Sequence, residues 1–89
     1  MSYEKKVTIN NGNGLHARPA GKIVEIANQH EVDILIHHGS KSADARSIIA
    51  LMTLTASCGS ELMIEANGDG AEEAVDAIAA LVEGGFEEK

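Results

Sequence analysis

Gly14-Leu15-His16-Ala17-Arg18-Pro19-Ala20 marks the point where an alternating, strand-like run gives way to helical periodicity. Upstream, Tyr3, Lys5, Val7 and Ile9 alternate with Glu4, Lys6 and Thr8, which predicts a strand from Glu4 to Asn10 with Val7 and Ile9 on one face. Asn10-Asn11-Gly12-Asn13-Gly14 is a turn signal that ends it, and reads as a flexible mount on which a histidine can swivel or simply as a strand-to-helix connection, two compatible readings. Downstream, Ala20, Ile23, Val24 and Ala27 form one face of a helix from Ala17 to about Asn28. Pro19 falls in its first turn, where a missing N–H costs no intrahelical bond. Gly21 weakens the helix slightly and is expected to allow close packing on a sheet.

Beyond this junction the periods keep alternating. Val32, Ile34 and Ile36 interleave with Asp33, Leu35 and His37 as a second strand. His38-Gly39-Ser40 turns tightly into a short polar strand near Lys41 to Ala43, a composition that suits a sheet edge. Ser47 is a good N-cap for a helix reaching about Ala56. Its apolar residues encircle it, yet a short helix on a two-layer domain buries one face. Leu51 and Leu54 are the expected core pair, which leaves Ile48, Ile49 and Met52 exposed as a docking surface. Leu62, Ile64 and Ala66 mark a fourth strand, and Asn67-Gly68-Asp69-Gly70 a turn. A last helix, Ala71 to Glu83, has Ala74, Val75, Ile78, Leu81 and Val82 as its buried stripe and acidic Glu72 and Glu73 at its positive end; Gly84-Gly85 stops it. The order β-α-β-β-α-β-α with alternating strands predicts an α+β domain, its sheet covered by three helices on one face and open on the other.

Composition sets the outer limits. The 89 residues suit one domain, 1–89, with a single modest core. Tyr3 and Phe86 are the only aromatics, so that core must be aliphatic. A net charge of −7 argues against nucleic acid as a partner, because neutralising phosphates needs a basic face. The lone Cys58 cannot form an internal disulfide, which points to a reducing, cytoplasmic setting. Ser2-Tyr3-Glu4-Lys5-Lys6 lacks the apolar core of a signal peptide, and no apolar run is long enough for membrane insertion.

The chemistry concentrates at the opening stretch. Imidazole is the side chain whose ordinary pKa lies nearest working pH. With His16 at the N-cap, the N–H groups of Ala17 and Arg18 point back toward its ring at the positive end of the helix dipole. Arg18 adds a forked cationic donor suited to phosphate. From residue chemistry alone two readings stand: a nucleophilic histidine able to carry an anionic group, or the commoner pairing of a capping or solvated histidine with a solvated arginine.

The run Gly14 to Ala20 resembles the active-site motif of HPr, the histidine-containing phosphocarrier of the bacterial phosphotransferase system. Ala45-Arg46-Ser47-Ile48-Ile49-Ala50-Leu51-Met52-Thr53-Leu54 is similar to that family's second signature. The resemblance spans essentially the whole chain and implies an open-faced β-sandwich with four antiparallel strands in the order 1-4-2-3. It also implies that His16 accepts a phosphoryl group on Nδ1 from phospho-enzyme I and passes it to a histidine of an enzyme IIA. Ala17 and Arg18 would hold the phosphate, with no metal or cofactor on this chain. In some relatives the serine matching Ser47 is phosphorylated by an HPr kinase. Carbohydrate-branch members carry lysines where this chain has Glu25, Asn28 and Ala50; Ser47 to Leu51 and Gly85-Phe86-Glu87-Glu88 resemble the nitrogen-related branch instead.

Three rival readings stand beside this one. His37 and His38 are strand neighbours that face opposite ways, and His30 lies in a connection, so zinc is disfavoured. The apolar helix after Ser47 could serve a non-catalytic regulatory module. A conventional enzyme would need a pocket that 89 residues leave little room for.

Overall fold

Alternation along the strands sorts this chain into two layers. A computed structural model describes residues 2–87. The elements are β1 (Ser2–Thr8), α1 (Ala17–Ala27), β2 (Asp33–His38), β3 (Lys41–Asp44), α2 (Ile48–Met52), β4 (Glu61–Asn67), α3 (Ala71–Glu83) and a closing 3-10 turn, Gly85–Glu87. The strands form one antiparallel sheet in the order β1-β4-β2-β3, as the resemblance implies. Its register sets Val7 beside Leu62, Ile34 beside Ala66 and Ile36 beside both Ile64 and Ala43, so the apolar residues share one face. Against that face pack Ala20, Ile23 and Ala27 of α1, Leu51 of α2, and Val75, Ile78 and Val82 of α3, all buried. Each large aliphatic contributes about 1.5–3 kcal/mol by leaving water. No described helix covers the other face of the sheet.

Several boundaries differ from the sequence expectation. β1 runs Ser2–Thr8, because β4 begins only at Glu61; Ile9 keeps one bond each way, to Ser60 and Gly59 across the turn. β3 extends one residue further, to Asp44. α2 is five residues, well short of Ala56. The Thr53 hydroxyl donates to the Ala50 carbonyl at 2.6 Å, and Thr55 enters the left-handed region (φ 51°), which ends the helix. Leu54 is nonetheless buried with Leu51, as expected. In α3, Leu81 is only half-buried, while Ala71 and Ala79 complete the buried stripe. Gly21 faces α2, where a Cβ would meet Ile48 Cδ1 at 4.0 Å, so it approaches a helix and not the sheet.

The C-terminal turn is the feature periodicity gave no hint of. Phe86 is fully buried, the largest side chain in the core, so the core is not purely aliphatic as composition suggested. Gly85, Phe86 and Glu87 all have positive φ, of 71°, 56° and 63°. Each non-glycine residue there costs about 1–2 kcal/mol. Burial of the phenyl ring offsets that cost, as does the Lys22 ammonium of α1, which donates to the Phe86 carbonyl at 2.6 Å. Glu88 lies outside the described residues. No described helix is long and apolar enough to cross a membrane.

Candidate functional site

The loop before α1 is a strand-to-helix connection tied down at several points. Gly14 has φ +68°, and a Cβ there would lie 2.5 Å from the Ala56 carbonyl oxygen, so only glycine fits. That close approach lets the Leu15 N–H donate to the same carbonyl at 2.9 Å, with Leu15 buried beneath. The Asn11 amide donates to Gly14 O at 2.8 Å, and the Asn10 amide donates to Glu83 O at the end of α3 at 2.9 Å.

His16 is therefore held at a defined place. It is the N-cap residue of α1, with extended backbone (φ −90°, ψ −168°), and its side chain does not cap the helix. Its carbonyl accepts from Ala20 N–H at 3.0 Å. Pro19 has no N–H, so the first turn offers the donors of Ala17 and Arg18. Half-buried His16 and exposed Ala17 and Arg18 line an open concavity with Asn10, Asn11, Gly12, Asn13 and Glu87. Glu87 was not foreseen there; nothing in its local pattern carries that signal. A shallow bowl with a ring nitrogen, two backbone donors and one guanidinium can receive a phosphate-sized anion and release it.

The apolar patch lies on the neighbouring helix, α2. Ile48, Ile49 and Met52 are 41%, 77% and 42% exposed. α2 packs against α1, and its exit segment is tied to the His16 loop through Ala56. Ser47 caps α2, its hydroxyl accepting from Ala50 N–H at 3.1 Å. Arg46 is the structural residue sequence reasoning passed over. Its guanidinium donates to Val32 O at 3.0 Å, to Ala27 O at 2.8 Å and to His30 O, so it closes the C-terminal end of α1.

The other histidines are separated. His37 reaches Ser42 and Glu65 on the open sheet face, whereas His38 meets the Leu54 carbonyl on the helical side. Among the described residues no three His, Cys, Asp or Glu side chains are grouped to hold a metal ion. At the far edge, the Asp76 carboxylate takes hydrogen bonds from Tyr3 and Lys5, both at 3.2 Å. Partial burial, and then Asp76, raise the Tyr3 phenol above its ordinary value. The bond to Asp76 and its charge raise Lys5.

Fold and site together define a class: an open-faced sandwich that presents a histidine at a helix N-terminus inside a shallow, open bowl. The family model described as the PTS HPr component phosphorylation site matches residues 3–84. The phosphocarrier protein NPr of Proteus mirabilis is 40% identical over 89 residues, covering 99% of each chain. The phosphocarrier protein HPr of Vibrio cholerae is 42% identical over 81 residues, covering 91% of this chain and 95% of its own. The crystal structure of HPr from Thermoanaerobacter tengcongensis superposes with a TM-score of 0.92 at 37% identity, covering 98% of both chains. The chain belongs to the HPr family of phosphotransferase-system phosphocarriers.

Proposed function

We propose that His16 Nδ1 accepts the phosphoryl group of phospho-enzyme I and passes it to a histidine of an enzyme IIA. The observation that carries this is the pinned N-cap position of His16 beside the open donors of Ala17 and Arg18. Those donors and the Arg18 guanidinium stabilise the phosphate oxygens as charge moves during transfer. The bowl is open, so the phosphate stays within reach of the next acceptor. Ile48, Ile49 and Met52 dock both partners, because their exposed apolar area becomes buried only in the complex. No metal or cofactor takes part, and the setting is cytoplasmic.

The nitrogen-related branch is favoured. The NPr relative matches over 99% of this chain, whereas the HPr relative matches over 91%. The docking face also has Glu25 and Ala50 where the carbohydrate branch has lysines. Ser47 keeps an acceptor role in its cap, so its hydroxyl proton remains available for an HPr kinase. Phosphate there would set charge beside Ile48 and Ile49 and weaken docking.

The test is phosphoryl transfer from phosphoenolpyruvate with purified enzyme I of each branch, comparing the chain with His16→Ala. Acid-labile, base-stable label that disappears in the variant supports the carrier. Absence of label with both enzymes leaves the regulatory module with an apolar docking helix as the reading.

A further inference from the structure

On the open face of the sheet, three strands bring together a serine, a histidine and a glutamate. His37 on β2 sits directly opposite Ser42 on β3. Its Nδ1 is 2.7 Å from Ser42 Oγ, and its Nε2 is 2.8 Å from Glu65 Oε1 on β4. An ionised carboxylate can only accept, which puts the imidazole proton on Nε2. Nδ1 then carries the lone pair, and the Ser42 hydroxyl donates to it. The partners thus assign the tautomer that a general base needs, with Glu65 orienting the ring and stabilising the imidazolium as it forms. Ser42 is exposed, while the side chains of His37 and Glu65 are 28% and 27% exposed, so the nucleophile is open to solvent and its supports are partly sheltered. Leu35, 40% exposed and two residues from His37 on the same face, gives a small apolar group a surface to rest on.

We infer that Ser42 is an activated acyl-acceptor, independent of the His16 site. Ser42 Oγ attacks the carbonyl carbon of the donor, forming the ester C–O bond. Its proton passes to His37 Nδ1. The bond from that carbon to the leaving oxygen breaks, the electron pair departs with the leaving group, and His37 returns its proton to solvent. Backbone N–H groups run in the plane of a sheet and not out of it, so the developing oxyanion gains no pair of donors here. The donor must therefore supply a good leaving group, which selects activated small acyl donors such as aryl esters and acyl phosphates. For the same reason the acyl-serine is slow to hydrolyse and accumulates.

The experiment treats the full chain with p-nitrophenyl acetate, quenches in acid to hydrolyse acyl-imidazoles, and maps serine esters by peptide mass spectrometry. Exposed Ser40, in the adjacent turn, is the internal reference. Ser42 is expected to acylate roughly 10²-fold faster than Ser40, the usual contribution of a positioned general base. His37→Gln should bring it to the Ser40 rate, and Glu65→Gln should slow it at least about tenfold. Circular dichroism checks that each variant is folded, and Glu65→Gln keeps the test alive should His37→Gln unfold. A Ser42 to Ser40 ratio near one, or a ratio unchanged in the folded variants, overturns the inference and leaves the three residues as a clasp between strands.

Discussion

Gly14→Ala is the substitution that most directly tests how the His16 loop is held. The new Cβ would stand 2.5 Å from Ala56 O and 2.8 Å from Ser57 Cα, both backbone atoms that cannot rotate aside. Relief requires the loop to move away from the Ala56 segment, which stretches the 2.9 Å bond from Leu15 N–H. Left-handed alanine costs about 1–2 kcal/mol. Overpacking typically costs about 1–3 kcal/mol. The weakened hydrogen bond removes about 1 kcal/mol more. The lower entropy of the unfolded alanine chain returns somewhat less than 1 kcal/mol. The net loss is about 4 kcal/mol, which for a domain of this size lowers the Tm by roughly 16–32 °C. Gly12→Ala is the matched control: nothing lies within 4 Å of its Cβ position, so its stability should stay within ~0.5 kcal/mol of the parent. Urea and thermal unfolding of the pair read the difference. At a temperature where both variants are folded, phosphoryl acceptance should fall only in Gly14→Ala, since a 1 Å displacement costs on the order of 10²-fold. Equal stability of the two alanine variants would refute the claim that the loop is pinned through Ala56.

Four more perturbations separate the roles of other parts. Gly21→Ala should stabilise by about 0.5–1 kcal/mol in urea unfolding, because the helix gains propensity and the methyl meets Ile48 at an ordinary 4.0 Å contact; destabilisation would mean α1 and α2 sit closer than described. Arg46→Met should cost about 3 kcal/mol by leaving three carbonyls without their charged donor, and Arg46→Lys should recover less than half, since one ammonium cannot span that fork. Ile49→Asp should leave the unfolding midpoint unchanged, as the side chain is 77% exposed, while slowing transfer from enzyme I ten- to a hundredfold, about what burying an isoleucine contributes on docking. Tyr3 and Lys5 are both favoured in their protonated forms by folding, so their contribution is fully present at neutral pH and is lost as pH rises past about 10. Asp76→Asn should flatten that alkaline loss, which urea midpoints at neutral pH and about pH 11 would reveal.

What the sequence made legible follows from the range of the signals. Val7, Ile34, Ile36, Leu62 and Ile64 alternate with polar neighbours, so each strand declares its buried face locally. The surplus of apolar residues around α2 likewise declared that Ile48, Ile49 and Met52 could not all be covered. Strand order came only from the resemblance, because pairing is a long-range choice and period-2 patterns are alike in every strand. The end of α2 was misplaced for a local reason with a non-local cause. The apolar pattern continues to Leu54, but Leu54 reaches the core from a turn, after Thr53 has taken the Ala50 carbonyl. Phe86 was invisible as a core residue because it stands alone beyond the last periodic stretch, and its burial depends on three left-handed residues in a row.

The same division runs through the site. His16 and Arg18, the residues that would touch phosphate, suggest an anion site by their own chemistry at a helix start, and the resemblance is what sets that reading above a plain cap. The residues that hold them are not, since their partners are distant in sequence: Asn10 at Glu83, Leu15 at Ala56, and Arg46 across the end of α1 to Ala27, His30 and Val32. A carrier must give its phosphate away, so its reactive group is best left shallow and its rigidity supplied from behind. The structure meets that requirement in an open bowl whose floor is tied to α3, to the exit of α2 and, through Lys22, to the C-terminal turn. Substitutions at the rim should therefore change transfer with little effect on folding. Substitution at Arg46 should change folding first, and at Gly14 it should change both folding and, through the displaced loop, transfer.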